Sequence, residues 1–429
     1  MIFLIIHVVR PGESVYSIAR QYGVSPSKII EDNELENPAQ LTVGQTLVIL
    51  EGTRQHRVAP GESLYSIGRR YGVRVSDILE ANPDITDPLQ IVPGQIINIP
   101  PRTRKLGTIE VNGYTLPNIN MEVLRKTLPN LTYLSIFSYE VRPDGSLTAI
   151  NDEPLIEAAR AANVAPFMVI TNLEEGGGFS SELARTILTN EDVQETLINN
   201  VIEILQTKNY YGLDIDFEYI FPEDREKYNN FLRKITTRLH ELGFTVTTAL
   251  APKIAADQPG LLYEAHDYPF HGATVDHIIL MTYEWGYTYG PPLAVAPINE
   301  VRKVLNYAVT AIPPEKILMG IPNYGYDWIL PYVQGRAATT VSNTAAVQLA
   351  QREGAFIRYD EKAQAPFFRY YDEQGREHIV WFEDARSIEA KLKLVNEYGL
   401  GGVSYWTIGR YFPQNWLVLN ALYDIEKVI

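Results

Sequence analysis

The stretch that most limits the possible folds of this chain is residues 211–219, which read Tyr-Gly-Leu-Asp-Ile-Asp-Phe-Glu-Tyr. Acidic and apolar residues alternate there with a period of two, which predicts a β-strand. Asp214, Asp216 and Glu218 then share one face, and the apolar side chains cover the other. Three carboxylates crowded on a buried face repel each other and lose solvation, so the pattern is typical of a site that holds or moves a proton.

The surroundings of this strand predict an α/β fold. Helical patterns on both sides place it inside a sheet, and an edge strand with a solvated acidic face is the alternative. Eight candidate strands alternate with helical patterns after about residue 105, at 107–114, 131–139, 165–171, 212–219, 245–251, 277–283, 317–324 and 401–406. This order predicts a (β/α)8 TIM barrel. A doubly wound sheet is the alternative, but the chain has no glycine-rich phosphate loop to favour it.

The carboxyl ends of the predicted strands carry polar and aromatic residues, which is where a barrel places its active site. Aromatic faces pack on sugar rings, while amides and carboxylates bind hydroxyl groups, so we predict a carbohydrate cleft there. For each aromatic residue taken alone, packing in the core or at the rim is the alternative. A small α+β insertion, residues 327–381, is predicted to form one wall. The predicted substrate contacts are Tyr139, Asn172, Met281, Glu284, Asn323, Tyr324 and Trp406.

An internal repeat occupies the N-terminal part of the chain. The sequence HVVRPGESVYSI at residues 7–18 is matched by HRVAPGESLYSI at residues 56–67. Each copy reads strand, helix, helix, strand, with a Pro-Gly turn and a serine placed to cap the first helix. We therefore predict two small α+β (βααβ) modules, residues 1–50 and 51–101, ahead of a barrel domain at residues 102–429.

Charge and composition exclude several classes of partner and chemistry. The net charge of −15 argues against nucleic acid and anionic membranes as main partners. The absence of cysteine excludes disulfides, thiolate catalysis and cysteine zinc sites. The apolar start at residues 1–6 is too short to span a bilayer and lacks a signal-peptide pattern, so we expect it to lead into the first strand. We expect a monomer that uses neither metal nor cofactor.

The shared pattern of the two repeats, PGES-x-Y-S-I-x-x-x-Y-G-V, resembles the LysM module. The resemblance implies binding to N-acetylglucosamine polymers such as peptidoglycan or chitin. It also implies that the glycan lies between the strand–helix loop and the loop before the last strand. The alternative is that the residues there only shape turns and caps. They are Gly12, Glu13, Ser14 and Asn33 in the first module, and Gly61, Glu62, Ser63, Asn82 and Pro83 in the second.

Residues 212–218, GLDIDFE, resemble the DGxDxDxE signature of glycoside hydrolase family 18. The segments MTYE at 281–284 and SYW at 404–406 are similar to two further motifs of that family, and the resemblance covers the chain after about residue 105. With two LysM-like modules ahead of it, the chain resembles spore cortex-lytic N-acetylglucosaminidases. Two departures concern the tuning of the site: Tyr211 and Glu284 stand where the family usually has aspartates.

The resemblance implies retention of configuration by substrate-assisted catalysis, in which the 2-acetamido group of the substrate is the nucleophile. It makes Glu218 the general acid, with a pKa raised by burial and by Asp216. Asp216 would bind the acetamido N–H and stabilise the oxazolinium ion, with Asp214 setting its orientation. Tyr283 would donate its hydroxyl to the acetamido oxygen. Trp406 would lie under the −1 sugar.

This mechanism restricts the substrate, because the −1 sugar must carry a free N-acyl group. The muramic δ-lactam of spore cortex has its nitrogen tied into a ring, so N-acetylglucosamine is expected at −1. We therefore expect cleavage after N-acetylglucosamine in cortex peptidoglycan, at the spore coat, cortex or cell wall of an endospore-forming bacterium. The alternatives are a chitinase or chito-oligosaccharide hydrolase, a non-catalytic glycan-binding coat protein, and a metal-dependent hydrolase in which the three carboxylates bind the ion.

Overall fold

The computed structural model describes residues 3–51, 54–100, 105–174 and 176–429. Part of the segment that joins the two N-terminal modules lies outside these ranges. The predicted boundary at residues 101 and 102 lies outside them as well. No helix of the described residues is both long and apolar enough to cross a membrane.

Each N-terminal module is a βααβ unit, as the repeat predicts. The first consists of β1 (Phe3–Val8), α1 (Val15–Tyr22), α2 (Pro26–Asp32) and β2 (Thr46–Glu51). The second consists of β3 (Arg54–Arg57), α3 (Leu64–Tyr71), α4 (Val75–Glu80) and β4 (Ile96–Ile99). The two strands of each module pair antiparallel. The first helix of each module ends at a left-handed glycine, Gly23 or Gly72.

The third domain contains sixteen strands within the described residues. They are β5 (Gly107–Thr115), β6 (Tyr133–Glu140), β7 (Ala165–Thr171), β8 (Leu173–Glu174), β9 (Gly178–Phe179), β10 (Gly212–Asp216), β11 (Thr245–Leu250), β12 (His277–Leu280), β13 (Ile317–Pro322), β14 (Tyr324–Ile329), β15 (Thr339–Ser342), β16 (Arg358–Asp360), β17 (Ala365–Tyr371), β18 (Glu377–Trp381), β19 (Gly402–Trp406) and β20 (Tyr423–Ile425). Eight of them are parallel neighbours in the order β5-β6-β7-β10-β11-β12-β13-β19, and β19 pairs with β5 to close the ring. The predicted TIM barrel is confirmed.

Helices cover the outside of this barrel. They are α5 (Met121–Thr127), α6 (Glu153–Ala161), α7 (Ser181–Thr189), α8 (Glu191–Thr207), α9 (Arg225–Glu241), α10 (Tyr268–Thr274), α11 (Ile298–Ala311), α12 (Asn343–Arg352), α13 (Ala385–Tyr398) and α14 (Pro413–Leu422). Short 3-10 turns lie at Leu128–Asn130, Pro222–Asp224 and Pro314–Lys316. Helix α12 belongs to the insertion, where it joins an antiparallel sheet in the order β15-β14-β18-β17-β16. That sheet begins at Tyr324, slightly before the predicted residue 327.

The alternation in residues 211–219 has the predicted consequence in β10. Leu213, Ile215 and Phe217 lie in the main core between the barrel and its helices. The ring of Phe217 stacks on that of Phe231 in α9, with centroids 6.0 Å apart. The acidic side chains therefore face the barrel interior. The strand ends at Asp216 rather than at residue 219. Tyr219 has a positive φ of 55°, which lies outside the extended region and excludes it from a strand.

Candidate active site

The acidic face of β10 forms a column of three carboxylates inside the barrel. Asp214 is fully buried and Asp216 is 5% exposed, while Glu218 is partly exposed just beyond the strand end. The hydroxyl of Tyr114 donates to Asp214 Oδ2 at 2.6 Å. One oxygen of Asp214 and one of Asp216 have no hydrogen-bond partner. The column therefore contains carboxylate oxygens to which no group in the described part of the protein donates a hydrogen bond.

Burial raises the pKa of Glu218 to about 7, and the charge of Glu284 adds to the rise. Burial also raises the pKa of Asp214 to about 7, against the effect of the Tyr114 and Ser135 hydroxyls. Tyr114 has the stronger effect of the two, and the Ser135 hydroxyl also donates to Asn112 Oδ1 at 3.0 Å. The pKa of Asp216 is raised by burial first and then by the charges of Glu218 and Asp214. Carboxylates this close cannot all ionise near neutral pH, so the column retains a proton.

The backbone around Glu218 is held by two buried side chains. Asn172 Oδ1 accepts the Glu218 N–H at 2.9 Å, and its Nδ2 donates to the Glu218 carbonyl at 2.9 Å. His266 Nδ1 accepts the N–H of Ala251 at 2.9 Å, so its Nε2 carries the proton and donates to the Phe217 carbonyl at 3.1 Å. Burial lowers the pKa of His266 to about 4, which keeps the ring neutral. These contacts fix the position from which the Glu218 side chain enters the cleft.

A cavity with about 1210 Å³ of empty space, part of it open to solvent, lies at the carboxyl ends of the strands. Asp216 and Glu218 are the acidic residues of its floor, and most of its wall is aromatic. This combination of ring faces and few charged groups suits a sugar chain. The lining residues are Tyr114, Phe137, Phe179, Asp216, Glu218, Tyr219, Pro252, Leu262, Tyr263, Met281, Tyr283, Glu284, Trp285, Tyr287, Tyr324 and Trp406.

Glu284 is a third acidic residue that lines the cavity, and two tyrosines of the insertion hold its side chain. Tyr324 donates to Glu284 Oε1, and the hydroxyl of Tyr326 lies 3.1 Å from the same oxygen. Glu284 is open to the cavity, but the walls around it exclude much of the bulk water. This burial raises its pKa, while the two hydroxyls act in the opposite direction. The insertion therefore positions the group whose charge acts on Glu218.

Four of the predicted substrate contacts, namely Met281, Glu284, Tyr324 and Trp406, line the cavity together with the predicted catalytic residue Tyr283. The structure does not bring Asn172 or Asn323 to its surface. Asn172 is fully buried and binds the Glu218 backbone instead. Asn323 is also fully buried, and its backbone N–H donates to the Trp406 carbonyl at 3.0 Å.

Tyr139 also lies away from the cavity, with its hydroxyl donated to the buried Asp152. The reason is a shift in the pairing register of β6 between Ile136 and Tyr139, which breaks the alternation of faces. Phe137 lines the cavity from this strand instead. The prediction for Tyr139 rested on its place at the carboxyl end of a predicted strand, and the register shift turns that position away from the cavity.

The sequence reasoning missed several aromatic residues of the cavity wall. Tyr114 and Phe137 lie at or near the ends of the first two predicted strands, so their position in the sequence was a usable signal. The others lie beyond the carboxyl ends of the barrel strands, in connecting segments where no long periodicity fixes the direction of a side chain. They are Phe179, Tyr219, Tyr263, Trp285 and Tyr287.

Tyr211, which replaces an aspartate of the family signature, packs at the other end of the barrel interior. Its ring lies 5.8 Å from that of Phe167 and 6.3 Å from that of Tyr133, centroid to centroid. These residues belong to an apolar cluster that fills the barrel beneath the carboxylates. The position therefore contributes apolar packing, and Tyr114 supplies the hydrogen bond behind Asp214.

The predicted glycan-binding residues of the modules have clear structural roles. Gly12 and Gly61 adopt positive φ angles of 81° and 82° in exposed turns. Ser14 and Ser63 cap α1 and α3 by accepting backbone N–H groups. Pro83 is exposed. Glycan contacts of these residues stay a prediction.

Two further positions are bound inside each module. Glu13 lies 2.8 Å from His7 Nε2, and Glu62 lies 2.6 Å from the equivalent His56 nitrogen. Both carboxylates also accept a backbone N–H of their own loop. Asn33 and Asn82 are buried, and each bonds the last strand of its module through both side-chain atoms. These bonds fix the two loops between which the glycan is predicted to lie.

Comparison with known proteins decides the family. The description "Glycosyl hydrolases family 18" matches residues 118–410, and the LysM domain matches residues 7–50 and 56–100. The chain belongs to glycosyl hydrolase family 18. It is therefore a glycosidase with two LysM modules, as the motifs in residues 211–219 and in the repeat predict.

Several relatives match over nearly the whole length. A Bacillus subtilis (strain 168) protein described as cortical fragment-lytic enzyme is 46% identical over 430 residues, covering 98% of this chain and 99% of the relative. A Bacillus anthracis protein with the same description is 46% identical over 436 residues, or 98% of each chain. The crystal structure of the Bacillus megaterium spore cortex-lytic enzyme SleL matches with a TM-score of 0.89 at 43% identity and covers 100% of both chains.

Proposed function

We propose that this glycosidase hydrolyses spore-cortex peptidoglycan and cleaves after N-acetylglucosamine by substrate-assisted retention. The observation that carries the proposal is the buried carboxylate column, which opens into an aromatic cavity and has raised pKa values. The relatives described as cortical fragment-lytic enzymes match 98% of this chain. Their descriptions support cortex peptidoglycan as the polymer.

Glu218 has the properties of a general acid. Its pKa of about 7 keeps the protonated form well populated at neutral pH, and its side chain reaches the cavity. It protonates the glycosidic oxygen while the acetamido carbonyl oxygen of the −1 sugar attacks the anomeric carbon, forming the oxazolinium ion and releasing the leaving sugar. The resulting Glu218 carboxylate then takes a proton from a water molecule. The water oxygen bonds to the anomeric carbon, and the bond between that carbon and the acetamido oxygen breaks, which restores the acetamido group.

Asp216 and Tyr283 are placed to bind the acetamido group. Asp216 lines the cavity, so its carboxyl group can accept the acetamido N–H beside the developing oxazolinium ion. Burial and then the charge of Asp216 raise the pKa of Tyr283 well above its usual value, so its hydroxyl stays protonated and can donate to the acetamido oxygen. Trp406 offers a ring face, fixed by edge contacts with Phe137 at 4.8 Å and Tyr114 at 5.3 Å.

The experiment that tests the proposal is mass spectrometry of the products from purified cortex. The unmodified chain is expected to release fragments with N-acetylglucosamine at the reducing end, and Glu218→Gln is expected to release none. Muramic acid at the new reducing ends would contradict cleavage after N-acetylglucosamine. Full activity of Glu218→Gln would contradict the assignment of the acid.

The alternative polymer, chitin, offers the same acetamido group and therefore the same chemistry. Rates on chitin oligomers and on cortex fragments, measured side by side, separate the two. We expect the cortex fragments to be cleaved faster, because the whole-length relatives carry cortex-lytic descriptions. Retention of activity in chelator removes the metal-dependent alternative. We propose that the protein acts at the spore cortex or its surroundings, in an endospore-forming bacterium.

A further inference from the structure

The strand pair of the first LysM module is apolar on both faces. Leu47 and Ile49 pack against the helices of the module itself. The opposite face belongs to the barrel domain, since Val48 lies in the main hydrophobic core and Leu4 and Ile6 pack against it. Strand β2 contacts helices α13 and α14 there. The first module therefore shares a core with the catalytic domain.

Buried hydrogen bonds join the same surfaces. Gln414, in α14, donates from Nε2 to Asn33 Oδ1 at 3.1 Å and to the Thr46 carbonyl at 2.7 Å. The Thr46 hydroxyl donates back to Gln414 Oε1 at 2.8 Å. Both atoms of the Gln414 amide are thus used to hold the module, and removing the amide would leave buried groups unpaired.

The loop before the last strand of the first module rests on the insertion. The Ile357 N–H donates to the Val43 carbonyl at 3.0 Å. A Cβ atom at Gly44 would lie only 1.9 Å from the Ile357 carbonyl oxygen, so this approach requires glycine. Lys126 pairs with Glu34 at 3.0 Å on the barrel side. This loop is one of the two that the LysM resemblance assigns to the glycan.

The second module leaves the equivalent surface open. The repeat aligns Gly94 with Gly44, and a Cβ at Gly94 would meet nothing within 4 Å. Two positions further on, Thr46 is 3% exposed in the first module and the aligned Ile96 is 51% exposed in the second. Leu89 and Val92 of the same loop are 91% and 60% exposed. Three apolar side chains beside a loop predicted to bind glycan suit the apolar faces of sugar rings.

We propose that the two modules have different tasks: the first is a fixed part of the catalytic domain, and retention on the polymer depends on the second. This division rests on the proposed function, because it takes peptidoglycan as the polymer. The two modules have the same fold but different surroundings. In the first, the outer face of the sheet and the loop before the last strand are buried against the barrel domain. In the second, the equivalent residues are exposed, and we base the division of tasks on this difference.

The test compares two equivalent core substitutions in the full-length chain, Leu47→Ala and Ile97→Ala. Both residues are fully buried in the core of their own module. Leu47→Ala is expected to speed hydrogen exchange in α13 and α14 at least tenfold, while retention on insoluble cortex peptidoglycan falls less than threefold. Ile97→Ala is expected to weaken that retention at least tenfold and to leave exchange in α13 and α14 within twofold.

Equal losses of retention in both variants, or unchanged exchange in α13 and α14 for Leu47→Ala, would overturn the division. If Leu47→Ala does not fold, Gln414→Ala tests the same contact from the barrel side. This variant is expected to speed hydrogen exchange at residues 33–46 and to leave exchange at residues 82–96 unchanged. If residues 33–46 exchange at the same rate in Gln414→Ala and in the unmodified chain, the proposal is overturned. An unmodified chain that is not retained on peptidoglycan contradicts the polymer itself, whereas retention shared equally by the modules contradicts only their division.

Discussion

Two groups of buried carboxylates in the barrel domain have opposite surroundings. Asp152 is fully buried, and Lys208 Nζ lies 2.5 Å from one of its oxygens. The hydroxyls of Tyr139 and Tyr210 donate to the other oxygen. In the column of β10, Asp214 and Asp216 are buried to a similar degree, yet one oxygen of each has no partner, and burial raises the pKa of both.

The difference separates a structural carboxylate from a functional one. A buried carboxylate costs stability unless a cation or several donors compensate it, and Asp152 shows that this chain can supply both. The column lacks that compensation, and the resulting pKa of about 7 for Glu218 matches the needs of an acid at neutral pH. The uncompensated carboxylates of β10 therefore lower the stability of the barrel, and they are the groups that the catalytic mechanism requires.

The largest effect is expected from Glu218→Gln, which removes the transferable proton but keeps the shape of the side chain. The kcat on cortex fragments should fall about 10³-fold, within the range that a general acid contributes. Asp152→Asn is the matched control, because it changes a carboxylate of the same domain outside the cavity. A loss of less than tenfold in Glu218→Gln, or an equal loss in Asp152→Asn, would remove the distinction between the two groups.

A smaller effect is expected from the tyrosines that accompany each group. Tyr283→Phe removes a donor for the acetamido oxygen, and kcat should fall about 10²-fold, as for the loss of one oxyanion donor. Tyr210→Phe removes a donor to Asp152 and should leave kcat within twofold. Steady-state kinetics on cortex fragments measures both. Similar kcat values for the two variants would show that Tyr283 does not act on the reacting group.

Lys208→Met tests how far the cation stabilises the buried Asp152. The substitution leaves Asp152 buried without its cation and should lower the free energy of unfolding by about 2 kcal/mol, below the usual cost of breaking a fully buried pair because the lysine is partly exposed. Thermal and denaturant unfolding measure the loss, and kcat at low temperature should stay unchanged. Unchanged stability would mean that the two tyrosine hydroxyls alone compensate Asp152.

The carboxylate column should also make the free energy of unfolding depend on pH. Because the folded pKa of Glu218 is raised to about 7, the folded state binds more protons than the unfolded state between about pH 4 and 7, and stability falls as pH rises through that window. Glu218→Gln removes this penalty and should be more stable than the unmodified chain by about 3 kcal/mol at pH 8, at about 1.36 kcal/mol for each pKa unit. The difference should vanish at pH 4, and a variant less stable at pH 8 would contradict the raised pKa.

The features that the sequence predicted are those with a period. The alternation of residues 211–219 and the N-terminal repeat recur at a fixed spacing, which fixes faces and register, and the eight strand–helix units follow one regular order, which fixes the topology. The contacts of Asn172 and His266 with the backbone around Glu218 join segments far apart in the chain, and no spacing signals them. Tyr139 was predicted from its place at the end of a strand, and a register shift in β6, which no local pattern signals, turns its side chain away from the cavity.

The sequence of β1 contains a pattern that indicates the docking of the first module. Residues 3–6, Phe-Leu-Ile-Ile, are apolar on both faces of a strand, whereas β3 has the polar Gln55 at the position of Ile6. A strand that is apolar on both faces is covered on both sides. The covering surface, however, is formed by helices more than 370 residues later in the chain, which a local pattern does not reveal.

The smallest effect is expected at Glu284, which links the column to the insertion. Its charge contributes to the raised pKa of Glu218, so Glu284→Gln should let Glu218 lose its proton at a lower pH. The alkaline limb of kcat against pH should therefore move down, by less than one unit, and Glu284→Asp should restore it. A limb that stays in place or moves up would show that burial alone sets the pKa of Glu218. A loss as large as that of Glu218→Gln would place Glu284 in the chemistry itself, which a substrate nucleophile makes unnecessary.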